Sequence, residues 1–177
     1  MKNRRFSHFD GINLVLAGLT ALLWWANQII DQTPLSGKPL LKLQSDQITE
    51  IRLIKNKRLQ LRLQRNDNLS WSITHPFVEP AARKKVNLLL AISAARSTLQ
   101  LNASQKSLSD FGFTTADLQL FFNQKSIKFG GLNELSGQRY ALSNKHIFLI
   151  DDTYYRIASM APRHYRKPEK MSPRNDH

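Results

Sequence analysis

Five histidines and one adjacent acidic pair are the residues from which this chain could build a reaction centre. The histidines are His8, His75, His146, His164 and His177. No two have the spacing that lets one helix or strand aim both at a metal, and no glutamate cluster accompanies them. His75 precedes a proline at a predicted strand end, and His146 opens another strand; both suit ordinary structural positions better than ligand roles. Asp151-Asp152 could divide acid and base work between two carboxylates. Neighbours at a strand end point apart, however, and turn chemistry accounts for aspartate there equally well. Nothing resembles a Gly-x-Ser-x-Gly elbow or a Walker A loop. The stretch "GGLNELSG" holds glycines without the lysine and following helix that cradle a phosphate, and reads as a hairpin loop. The chain has no cysteine, which excludes disulfides, thiolate zinc sites, iron–sulfur ligation and a cysteine nucleophile. No catalytic residue, metal ligand or cofactor emerges from the sequence. An envelope hydrolase using Asp151, Asp152 or His75 remains only as a remote alternative.

The basic residues are the stronger signal. Lys and Arg number 26 against 13 Asp and Glu, a formal charge of +13. Charge of that size speaks about partners and solubility, not about fold. Two places could gather anions. Arg83, Lys84 and Lys85 fall at the start of a predicted helix, where free N–H groups already attract negative charge. Arg163, Arg166, Lys167 and Lys170 lie in a basic tail that could rest on anionic headgroups. The competing account is a solvated positive surface. Consecutive residues step about 100° around a helix, so Arg83, Lys84 and Lys85 do not share the face a groove-reading helix would need. Nucleic acid is therefore the disfavoured partner. Trp71 could stack a base, but it shares a strand face with Leu69 and Ile73 and reads as core.

The elements that would position these residues begin with an address. Residues 1–11 form a basic leader. Residues 12–30, "INLVLAGLTALLWWANQII", approach the length of about 20 residues that crosses a bilayer. The run is apolar all round and lacks small residues before a cleavage point, so it reads as an uncleaved transmembrane anchor rather than a signal peptide. The flanking basic residues and the short leader place the N-terminus in the cytoplasm of a bacterial inner membrane and the rest in the periplasm or outside. Residues 31–39 read as a linker and residues 40–161 as one globular domain; residues 162–177 read as a disordered tail.

Within the domain, period-two patterns over 48–55, 58–65 and 69–74 predict a three-stranded meander with one apolar face. The segment "PFVEPAARKKVNLLLAISAAR" predicts a covering helix, with Pro80 in its first position and Ala82, Val86, Leu89, Leu90 and Ser93 as its apolar stripe. Further strands are expected at 118–122, 126–130, 138–143 and 146–151, and a short helix at 153–160. The expected class is α+β: a transmembrane helix, then antiparallel meanders packed on a central helix.

The ordered set of Trp71, the lead "PFVEPAA", the apolar helix, "FGF" at 111–113, "KFGG", "GQRYAL" and "HIFLID" resembles the bacterial family called domain of unknown function 4340. The resemblance covers roughly residues 45–155. Where relatives carry Tyr-Gly-Leu and a proline, this chain has Phe111-Gly112-Phe113-Thr114-Thr115, and Ala82 stands where an acidic residue is frequent. The resemblance implies a membrane-anchored domain without an established activity, in some relatives accessory to transport or gliding machinery. The resulting expectation is a non-catalytic accessory or protein-interaction subunit that partners another envelope protein or membrane complex. The alternative is a membrane-tethered domain that binds nucleic acid or another polyanion.

Overall fold

The computed structural model describes Thr20 and residues 37–97 and 99–168. The segment 12–30 expected to cross a membrane lies, Thr20 apart, outside the described residues, as does Lys170. Among the described residues no helix is long and apolar enough to cross a membrane. The expected transmembrane helix, signal anchor and inner-membrane address are corrected on that finding.

The strands are β1 (Lys38–Pro39), β2 (Glu50–Lys55), β3 (Arg58–Arg65), β4 (Trp71–His75), β5 (Glu79–Pro80), β6 (Arg96–Ser97), β7 (Gln100–Asn102), β8 (Leu118–Phe122), β9 (Lys125–Asn133), β10 (Gln138–Ser143) and β11 (His146–Asp151). Within residues 37–168 two α-helices accompany them, α1 (Arg83–Ser93) and α2 (Thr153–Ala158). The expected α+β class is corrected accordingly: the domain is mostly β. Nine strands form one antiparallel sheet in the order β5-β4-β3-β2-β8-β9-β10-β11-β7. The two predicted meanders are halves of this sheet, joined where Ile51 pairs with Phe122 and Leu53 with Leu120.

Turn chemistry explains the hairpins. Asn56-Lys57 and Asn144-Lys145 all have positive φ, between 47° and 63°. That is the geometry of a two-residue turn whose twist matches the strands it joins, and asparagine tolerates it without glycine. Asn123 does the same between β8 and β9 and ties them to β2. Its side-chain oxygen accepts from the amides of Thr49 and Glu50, both at 3.0 Å.

One face of the sheet is buried. Ile51, Leu61, Leu63, Ile73, Leu120, Phe122, Phe129 and Ala141 pack with Val86, Leu89 and Ile92 of α1 and Ala158 of α2. Helix α1 starts three residues later than predicted, because Glu79 and Pro80 pair with β4 as an edge strand. Leu88, on the same helix but outside its apolar stripe, is exposed. Leu69, expected on the face of Trp71, sits in a turn with φ 61° and is exposed, whereas Trp71 and Ile73 are buried.

The reverse face is covered at one end by the loop around "FGF". Phe113 and Ile147 are buried outside the main core. Phe111 meets Tyr140 edge-on, with ring centroids 4.9 Å apart. The Gly131 amide donates to the Phe111 carbonyl at 2.8 Å. A Cβ at Gly130 would lie 2.4 Å from that carbonyl oxygen, so the loop can dock only against glycine.

Candidate functional site

His8 and His177 lie outside the described residues; the other residues first suspected of chemistry are occupied by structural roles. His75 Nε2 lies 3.1 Å from the Leu59 carbonyl, His146 Nδ1 2.8 Å from that of Asn144, and His164 Nδ1 3.2 Å from that of Ala161. Asp151 accepts from the Thr153 amide at 2.7 Å, at the start of α2. Hydrogen bonds from Thr153, aided by the Arg156 charge, hold its carboxyl below the ordinary value. Asp152 instead pairs with Arg139 at 2.6 Å and Arg156 at 3.6 Å. Arg139 in turn donates to the Gly130 carbonyl at 2.7 Å and lies 3.9 Å over the Tyr155 ring. The adjacent carboxylates thus serve two different structural networks. Among the described residues no group of three His, Asp or Glu could hold a metal ion.

The two basic segments behave differently: the fold brings them together. Residues 162–168, predicted to be part of a disordered tail, pack on the domain. Pro162–Tyr165 forms a short 3-10 turn, and Tyr165 is 1% exposed. Its hydroxyl donates to the Ile157 carbonyl at 2.7 Å, and burial pushes its ionisation well above the ordinary range. The next residue, Arg166, forms an antiparallel bridge with Ala81. On either side of that bridge the Ala82 amide donates to the Tyr165 carbonyl at 2.7 Å and the Lys167 amide to the Pro80 carbonyl at 3.0 Å. The C-terminal segment therefore extends the β5 edge of the sheet immediately before α1 begins.

This register sets Arg163, Arg166 and Lys167 beside the helix that opens with Arg83, Lys84 and Lys85. Arg166 is engaged locally: it pairs with Glu79 and lies 4.5 Å over the Phe77 ring. Among the described residues Arg83, Lys84, Lys85, Arg163 and Lys167 form no ion pair. All but half-buried Lys85 are exposed. The helix start adds to the positive potential. Its cap is Ala82, which has no side-chain acceptor, and its first turn contains no acid. The amides of Arg83 and Lys84 donate to no acceptor among the described residues. Unsatisfied N–H groups and cations at one helix end repel each other and favour a negative ligand. Val78, 80% exposed, adds an apolar spot next to Glu79.

The sequence revealed both clusters of charge but not their convergence. The missed signal was Tyr165, a large side chain among polar neighbours, which anchors the segment.

Comparison with known proteins finds no family model that matches the chain, no matching curated protein and no matching solved structure. The resemblance to domain of unknown function 4340 therefore rests on the residues quoted for it.

Proposed function

We propose that the domain is a non-catalytic binding module that docks an acidic surface of a partner protein on the patch formed by Arg83, Lys84, Lys85, Arg163 and Lys167. The Ala81–Arg166 bridge carries this reading. It joins two distant cationic segments at an uncapped helix start, an arrangement that costs stability unless an anion completes it.

A protein partner is favoured over single-stranded nucleic acid by the aromatic residues. Base stacking needs open aromatic faces. Trp71, Phe122 and Phe129 are buried. Arg166 covers Phe77, and Arg52 covers Phe121 at 4.8 Å. Exposed Val78 next to a mixed-charge rim suits a protein surface.

The test is crosslinking in the full-length protein, with a photoreactive amino acid replacing Lys84 or, as a control, Lys57 in the β2–β3 turn. A discrete crosslinked protein from position 84, absent from position 57 and mapping to an acidic segment, supports the reading. Equal products from both positions, or nucleic acid as the crosslinked species at 84, overturn it.

A further inference from the structure

The reverse face of the sheet carries a cleft of about 470 Å³, within the size range of small-molecule sites. Gln119, Lys128 and Leu142 form a cross-strand row through β8, β9 and β10 on its floor. The hairpin turn with Lys145 forms one wall, and the Lys145 carbonyl accepts from the Ala103 amide at 2.9 Å to pin the adjoining wall. The floor is fixed by the Ser143 hydroxyl, which donates to the Ser126 carbonyl at 2.8 Å.

Lys128 is the anomaly. It is half-buried well inside a nine-stranded sheet, between two uncharged cross-strand neighbours. It forms no ion pair among the described residues, and neither does Lys145 at the rim. The Gln119 side chain beside Lys128 makes no hydrogen bond among the described residues. A partly desolvated cation without a counter-charge costs free energy that a bound anion recovers. Leu108 and Leu142 leave part of the lining apolar.

We propose that this cleft binds a small organic dianion, with one acidic group on Lys128 and the second on Lys145, and a short carbon body over Leu142. Carboxylate and phosphate share this chemistry, so two probes separate them: succinate and 1,3-propanediol bisphosphate. Each is titrated into the isotope-labelled full-length protein at physiological salt while amide resonances are followed. Saturable shifts centred on Gln119, Lys128, Ser143 and Lys145 are expected with at least one probe. Lys128→Met should weaken binding by about tenfold or more, and Lys145→Gln should weaken it too, giving an independent variant if Lys128→Met fails to fold. Lys84→Glu/Lys167→Glu should leave the affinity unchanged, which separates this site from the patch at α1. The proposal is overturned if neither probe saturates at tens of millimolar. It is equally overturned if folded Lys128→Met or Lys145→Gln binds as wild type, or if the shifts map to the start of α1.

Discussion

Ala81 and Arg166 face each other across an antiparallel bridge, and through it the C-terminal segment becomes the last backbone on the β5 edge. The bridge is anchored by the side chain before it. Tyr165 fills the core and bonds the Ile157 carbonyl. Tyr165→Ala should cost about 3–5 kcal/mol, as large buried truncations do. Tyr165→Phe should cost only about 1 kcal/mol, the net worth of one hydrogen bond. Denaturant midpoints at constant slope measure both. Equal midpoints for Tyr165→Ala and wild type would show that the segment is not docked.

The start of α1 trades stability for charge. Ala82 already has the extended backbone of a capping residue, with φ −73° and ψ 112°, but nothing to cap with. Ala82→Asp should supply an acceptor for the free amides and raise stability by about 1 kcal/mol. The same carboxylate should weaken binding of an acidic partner, because it fills the role proposed for that partner. Thermal melts and binding should therefore move in opposite directions in this variant.

The glycine pair on β9 sets how closely the "FGF" loop can dock. A methyl group at Gly130 would strike both the Phe111 carbonyl and the Phe113 ring, the latter at 2.7 Å. Gly130→Ala should cost about 1–3 kcal/mol or more, as overpacking does. Release of the loop would expose Phe113 and shift its ring resonances.

Acid should reveal the role of Asp151. Its carboxyl titrates below the ordinary value of 3.8, first because of the hydrogen bonds from Thr153. A depressed carboxyl stabilises the fold above its unfolded value, and that contribution is lost as pH falls through the folded one. Asp151→Ala should therefore lower stability at neutral pH by about 1 kcal/mol or less, the range of a helix-start acceptor. The two proteins should converge below the ordinary carboxylate range. A difference that persists unchanged in strong acid would assign the effect to packing instead.

Local structure was the part of this fold most legible in the sequence. The alternation in "RLQLRLQR" matches β3 residue for residue, and an asparagine in the chain stands where each of the hairpins β2–β3, β8–β9 and β10–β11 turns. These signals depend only on neighbours in the chain. The joining of two meanders into one sheet depends on Ile51 meeting Phe122, a pairing of distant residues with no local mark. The same holds at the site. Charge revealed Arg83, Lys84 and Lys85 at a helix start, but composition made 162–168 look like solvent-exposed tail. A single buried ring, Tyr165, overrides that composition, and period-based reading gives little weight to one residue.

The most direct test of the proposed binding surface compares two variants of equal net charge. Lys84→Glu/Lys167→Glu reverses the patch, whereas Lys57→Glu/Lys106→Glu reverses two exposed lysines outside it. A fluorescent glutamate-rich peptide reports binding to each full-length protein by anisotropy over a range of salt. The patch variant should lose about tenfold or more in affinity and most of the salt dependence, while the control stays near wild type. Equal losses in both variants would mean that only net charge is being sensed, and the proposed docking surface would be wrong.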